Sequence, residues 1–270
     1  MKRIKIGIIG CGTIGAEIAK ACATSLKRSF TLIGVTDIDS AKALTLRREL
    51  GIKTAALPSD ELIDKVDLIV EAASAKVSPE ILKKAIAWKK DALIMSIGGL
   101  VGHEHLLDKA RQKGIRVYLP SGALCGLDGV KASSVGNIAS VSLTTRKPPK
   151  GLMGAPYIQE KGIDLGAIDR ETVIFDGTAA EAVKAFPQNV NVCAVLSLAG
   201  IGAAKTRVRV VTSPAYTKNI HEVEIAGDAG TIMTRTENLP SKTNPKTSAL
   251  AFFSAIATLR GIADTVKIGT

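Results

Sequence analysis

Two periodicities divide this chain. Up to Tyr118, short runs that are apolar at nearly every position alternate with stretches whose apolar residues recur every third or fourth place. The runs "RIKIGIIG", "FTLIGVTD", "DLIVEAAS", "DALIMSI" and "GIRVYLP" read as strands with no polar face. Between them, "TIGAEIAKACATSL" puts Ile14, Ile18 and Ala21/Cys22 on one side of a helix, and "SAKALTLRREL", "SPEILKKAIAWKK" and "HEHLLDKARQKG" keep the same period. Strands buried on both faces and separated by helices predict a parallel sheet covered on both sides. Beyond Tyr118 the strands alternate instead. "NIASVSLTTRKP", "TRVRVVTS", "HEVEIAG" and "TIMTRTENL" place apolar residues on one parity, as strands with one buried face do. Helical period returns at "GTAAEAVKAFP", "VNVCAVLSLAGIG" and "TSALAFFSAIATLRGI". The expected fold is α/β: a Rossmann-type doubly wound parallel sheet over residues 1–120, then a smaller α+β domain of mostly antiparallel sheet over 121–245. A C-terminal helix and tail, 246–270, are expected to pack back on the first domain.

Composition narrows the choice of function. The formal net charge of +11 raises the question of nucleic acid. Yet the basic residues are scattered in pairs, aromatics do not interleave with them, and no recognition helix stands out, so neither groove reading nor single-strand stacking is expected. The excess charge reads as solvated surface with a pull on anionic small molecules. Four cysteines, Cys11, Cys22, Cys125 and Cys193, form no CxxC pair and lie near no histidine at metal spacing, so free thiols in a reducing cytoplasm and no metal are expected. The basic then apolar start breaks at glycines, which argues against an export signal, and no stretch is long enough to cross a bilayer.

"GCGTIG", Gly10 to Gly15, stands between the first strand and first helix as a complete GxGxxG. Gly10 permits the tight turn, Gly12 lets backbone approach a pyrophosphate, and Gly15 lets helix and strand pack closely. The helix that opens at Thr13 and Ile14 offers its N–H groups to the phosphates. Asp37 ends the second strand about 20 residues on, where a carboxylate accepts both ribose hydroxyls of an adenosine and repels a 2′-phosphate. NAD is therefore expected over NADP, although Lys42 is near enough in sequence to tolerate the phosphate. Glu71 to Ser74, including Ala73 and Ser74, and the glycine clusters "SIGGL" and "PSGALCGLDG" end later strands and are expected to wall the cofactor crevice. For Glu71 a solvated strand end, and for Ser96 a helix cap, fit the sequence equally well. His103 and His105 read as surface residues at a helix start.

The third histidine differs. In "KNIHEVEIAG", His221 shares its parity with Val223 and Ile225, so an ionisable ring points to the apolar face. A core histidine satisfied by a backbone hydrogen bond would explain that as well as a catalytic one.

The blocks "GCGTIG", "PSGALCGLDGVKAS", "FPQNVNVCAVLSLAGIG", "KNIHEVEIAG" and "NPKTSALAFFSAIATLR" together resemble the L-aspartate dehydrogenases, in order and over nearly the whole chain. The resemblance implies NAD(P)-dependent oxidative deamination of L-aspartate to iminoaspartate, which hydrolyses to oxaloacetate and ammonia or feeds quinolinate and NAD synthesis. It also implies a homodimer, cofactor contacts from Ala123 and from either Asn189 or Asn191, and catalysis by His221. An imidazole with an ordinary pKa of about 6.5 would serve as base near neutral pH, with the rate rising as the ring loses its proton. A ring bordering a crevice on an open sheet face would add little to stability. For the substrate carboxylates, Lys131 beside "GLDG" and Lys246, Thr247 and Ser248 at the last helix start are the candidates. Cys125 and Cys193 stand where small apolar residues would serve and suggest sensitivity to oxidants. Two rivals remain. One is another two-domain reductase of an imine or semialdehyde, of dihydrodipicolinate or homoserine type. The other is a redox-sensing NAD-binding module. The second domain holds a single histidine and no adjacent histidine–lysine cluster, which counts against the dihydrodipicolinate type.

Overall fold

The computed structural model describes residues 3–52, 57–187, 191–239 and 247–270. Its internal contacts divide the chain into two units, Met1–Pro120 with Phe252–Val266 and Ser121–Ala251 with Lys267–Thr270.

The first unit alternates strand and helix: β1 (Ile4–Ile9), α1 (Thr13–Ala23), β2 (Phe30–Thr36), α2 (Ser40–Glu49), α3 (Ser59–Asp64), β3 (Leu68–Glu71), α4 (Ser78–Ala87), β4 (Asp91–Ile94), α5 (His105–Gln112) and β5 (Val117–Tyr118). The strands pair in the order β2-β1-β3-β4-β5, all parallel. The apolar runs that predicted two-sided burial are buried: Ile6, Ile8, Leu68, Ile69, Val70, Leu93 and Ile94 are almost wholly withdrawn from water. Strand order reverses between β1 and β3, so the loops after these two strands flank the crevice where doubly wound sheets take their ligands.

The second unit contains α6 (Leu127–Ser133), β6 (Ile138–Lys147), α7 (Pro156–Glu160), β7 (Thr172–Thr178), α8 (Ala179–Ala185), α9 (Asn191–Ala199), β8 (Arg207–Thr212), β9 (Asn219–Gly227) and β10 (Gly230–Asn238). Its sheet runs β10-β9-β6-β8-β7, antiparallel throughout except for the parallel pair β6 and β8. Strand β7 was not visible in the alternation, because Asp176-Gly177 looks like a turn. Instead the Asp176 carboxylate faces the neighbouring strand and pairs with Arg207 and Arg209. Helix α8 then starts on a capping box, Thr178 accepting from the Glu181 N–H while Glu181 accepts from the Thr178 N–H.

Registration sorts this sheet into rows. On the buried face Val141 and Ile225 pair, then Leu143 with Val223 and Val208, then Thr145 with His221 and Val210, and finally Lys147 with Thr212. The face that begins apolar thus turns polar over its last two rows. The opposite face is ionic, with Glu222 bonded to both Arg146 and Arg235. The chain closes with α10 (Ala249–Ala263), whose Ala255 and Leu259 join Ile6, Ile8, Ile18 and Phe30 in the core of the first unit. Among the described residues, no helix is long and apolar enough to cross a membrane.

Candidate functional site

At the end of β1 the chain turns at Gly10 with φ +101°, and a Cβ there would lie 2.4 Å from the Ala72 carbonyl oxygen. Only glycine allows both that backbone and that approach to the loop after β3. A Cβ on Gly15 would lie 1.9 Å from the Gly10 carbonyl oxygen, so the third glycine is what lets α1 start so near the turn. Gly12 behaves differently, since a Cβ there would meet nothing within 4 Å. Thr13 and Ile14 open α1 with no side chain capping the helix and no acid in its first turn. The open space at Gly12 and the uncapped N–H groups fit a pyrophosphate. Asp37 is anchored beside them: one carboxylate oxygen accepts from the Cys11 N–H at 2.6 Å, the other from the Asp39 N–H at 2.8 Å. These residues suit an adenine dinucleotide.

Glu71, at the end of β3, is not a solvated strand end, for it is 0 % exposed. One of its oxygens accepts from the N–H groups of Ala73 and Ser74 at 2.8 and 3.1 Å, and from the Ser96 hydroxyl at 2.8 Å. The other accepts from the Ser96 N–H at 3.0 Å. Burial raises its pKa and these donors, Ser96 foremost, pull against that. Ser96 therefore ties β4 to β3 and caps no helix by its side chain. The carboxylate fixes the course of the Ala73–Ser74 loop at the reversal of strand order.

In the second unit His221 is 4 % exposed, so it lies on a buried face and not on an open one. Its Nδ1 is 3.1 Å from the Thr145 hydroxyl, the residue paired with it across β6. The ordinary pKa expected of the ring does not survive this setting. Burial first, and the charge of Lys147 second, push it down to about 3, so the ring is neutral throughout the physiological range. On its other side His221 pairs with Thr236 of β10, whose hydroxyl donates to the Ala123 carbonyl at 3.1 Å. The Asn238 amide donates to the same oxygen at 3.0 Å. Ala123 and His221, separated by most of this unit in sequence, are thus held against one strand.

Asn191 is the first residue of α9 and half-buried, and the next two residues, Val192 and Cys193, line a cavity of about 10 Å³ together with Thr145 and Lys147. Asn189 and Lys246 lie outside the described residues. Lys131 is exposed on α6. The segment leading to it runs along β10 from Thr236 beside Ala123 to Ile232 beside Gly129, which carries it away from the His221 row. Ser248 is buried and caps α10 by accepting from the Leu250 N–H at 3.2 Å, with Thr247 half-buried before it. That is an ordinary helix start. His103 and His105 are exposed, as expected. Cys193 is buried, with its thiol pushed up to about 12 by burial, which disfavours the reactive thiolate, and Cys125 is exposed. Among the described residues no cluster of potential ligands could hold a metal.

The sequence missed Lys147. It closes β6 at 6 % exposure, one row beyond Thr145 and His221, with its pKa pushed down to about 8 by burial. The signal was present: Val141, Leu143, Thr145 and Lys147 share a parity, but a lysine just before "PP" reads as the solvated end of a strand.

A doubly wound unit with a glycine turn suited to a dinucleotide, joined in one chain to a sheet that buries a histidine and a lysine, has the parts of a pyridine-nucleotide oxidoreductase. Residues 10–120 match the family described as homoserine dehydrogenase, NAD binding domain, and residues 128–262 match the one described as aspartate dehydrogenase, C-terminal. The chain belongs to the L-aspartate dehydrogenase family. It is 46 % identical to an L-aspartate dehydrogenase of Methanosarcina mazei over 99 % of this chain and 100 % of that one. It is 39 % identical to one of Bradyrhizobium diazoefficiens over 99 % of this chain and 94 % of that one. Among solved structures, an aspartate dehydrogenase from Thermotoga maritima matches with a TM-score of 0.72 at 26 % identity, covering 99 % of this chain and 100 % of that one.

Proposed function

We propose that the protein oxidises L-aspartate to iminoaspartate, with NAD preferred to NADP and His221 as the catalytic base. The observation that carries this is a neutral histidine, buried in a polar row and fixed by Thr145, in a chain whose relatives are named for that activity. Gly10, Gly12, Thr13, Ile14 and Gly15 would hold the pyrophosphate, Asp37 the adenosine ribose, and Ala73, Ser74, Ala123 and Asn191 would complete the cofactor contacts. Lys42 lies 3.5 Å from the Asp39 carboxylate, so its charge is partly answered before any 2′-phosphate arrives, which favours NAD. When bound, the nicotinamide supplies the hydride acceptor.

The α-carbon gives up hydride only when its amine is neutral, because the nitrogen lone pair must form the C=N bond. With Nδ1–H donating to Thr145, His221 presents the Nε2 lone pair to take a proton from the α-ammonium. Once that proton has passed to solvent, the same nitrogen takes a proton from the water that attacks the iminium carbon and hands it to the departing nitrogen, giving oxaloacetate and ammonia. Where the imine is intercepted before hydrolysis it would feed quinolinate and NAD synthesis. A cytoplasmic homodimer completes the proposal, on the strength of the free thiols and the family resemblance.

The test is the appearance of reduced nicotinamide, followed by its near-ultraviolet absorbance, with a panel of amino acids and both cofactors. Turnover with aspartate, faster with NAD, is expected. Binding of NADH with no turnover of any amino acid would instead indicate a redox sensor, and turnover of a semialdehyde another reductase.

A further inference from the structure

We propose that Lys147 is a substrate-binding residue whose ammonium holds one carboxylate of the dicarboxylate substrate beside the His221 ring. The proposal rests on aspartate being the substrate.

Three observations meet at this residue. Its position comes first. Thr145 is paired with His221, and Lys147 is two residues along the same strand on the same face, roughly 7 Å from Thr145 by strand rise. The second is its immobilised stem. A Cβ on Gly151 would lie 3.5 Å from Lys147 Cβ and 3.6 Å from its Cδ, so the loop after β6 passes over the side chain and holds it down. The third is the company it keeps. Its row contains buried Thr212, Asn219 and Asn238, and Thr212 donates to the Lys147 carbonyl at 2.8 Å. On its other side stand Leu152, Phe186, Val192 and Val210. Among the described lysines it is the one that is buried.

An ammonium in such surroundings is costly, and the cost falls when a carboxylate comes to share the site. Three donors on a compact head suit that anion, and apolar walls strengthen the attraction. Binding also acts on the base. In the free protein the charge of Lys147 lowers the proton affinity of His221. A bound carboxylate offsets that charge, so the ring becomes a stronger base when the substrate is in place.

Malonate, a dicarboxylate that cannot be oxidised, tests the assignment by calorimetry on the protein with NADH bound. Lys147→Met is expected to weaken malonate, and to raise KM for aspartate, by roughly 10- to 100-fold, the range for a lost hydrogen bond to a charged group. NADH affinity is expected to stay the same and the melting temperature to hold or rise, because a desolvated charge is removed. Lys147→Arg should retain part of the affinity. The unmutated protein supplies an independent measurement. Among the described residues, the ionisable groups facing this end of the sheet are Lys147 itself, His221 from β9 and Cys193 from α9, at about 8, about 3 and about 12. Of these the lysine changes charge between about pH 7 and 9.5, so malonate affinity should fall about tenfold per pH unit above 8. A folded Lys147→Met protein that binds malonate within about threefold of the unmutated one would overturn the proposal, as would a flat pH dependence. Should the unmutated protein bind malonate but oxidise no aspartate, the proposed reaction fails while the malonate results still decide the lysine.

Discussion

In the first unit a carboxylate, Glu71, is buried beneath the strand ends with donors from Ala73, Ser74 and Ser96 directed at both its oxygens. In the second, Lys147 and His221 are buried in successive rows of a sheet, and burial disfavours the charged form of each. All three are near-fully withdrawn from water. Their surroundings differ in purpose. The donors around Glu71 give its charge a use inside the fold, namely holding the Ala73–Ser74 loop in one shape. Around Lys147 and His221 the protein leaves proton affinities displaced from their ordinary values, which is how a site keeps groups ready for a reacting molecule. In the proposed reaction one region works through main-chain geometry and the other through side-chain chemistry.

The contrast breaks most plainly at Glu71. Glu71→Ala leaves buried N–H groups of Ala73, Ser74 and Ser96 without their acceptor and should cost about 3 kcal/mol or more. Chemical denaturation should show that loss together with weaker NADH binding. A variant of unchanged stability would mean the loop holds its shape without the carboxylate.

A smaller effect is expected at Asp37, which the proposal places against the adenosine ribose. Asp37→Ser removes an acceptor and a repulsion, so NAD should weaken by roughly tenfold or more while NADP improves relative to it. Competition of the two cofactors measured by fluorescence checks this, and unchanged selectivity would place the ribose elsewhere.

The effect that is smallest near neutral pH sharpens the other side of the comparison. The folded ring of His221 has its pKa below the ordinary 6.5, so as pH falls the unfolded chain takes up its proton first. The stability this confers is complete above about pH 6.5 and is lost below it, until the folded ring protonates near 3. Between those limits the unmutated protein should lose about 1.4 kcal/mol per pH unit more than His221→Gln. Parallel pH profiles of the two would show that the ring is not held neutral by the fold.

The first unit was the easier to read from sequence, and for a physical reason. Its proposed role depends on backbone, and glycine is the residue whose identity reports backbone directly: Gly10 and Gly15 could not be anything else in this structure. The parallel strands announced themselves as unbroken apolar runs. Glu71 was ambiguous because a polar residue at a strand end is exposed in most folds, and only the partners brought by Ser96, from another strand, show otherwise. In the second unit alternation gave the face of His221 correctly but not its burial, since the helices covering that face come from elsewhere in the chain. Lys147 fits the same alternation as Val141 and Leu143. A lysine at a strand end is so commonly solvated that parity alone does not reveal one that is buried.

The most direct test of this division of labour is His221→Asn, measured in one preparation for NADH affinity and for aspartate turnover. Asparagine fills part of the space left in a buried row, whereas alanine would open a cavity and lower the melting temperature. The account predicts kcat lower by about 10²- to 10⁴-fold with NADH affinity unchanged. A folded variant that oxidises aspartate within a few-fold of the unmutated protein would contradict it, and His221 would then be a buried ring with no part in the chemistry.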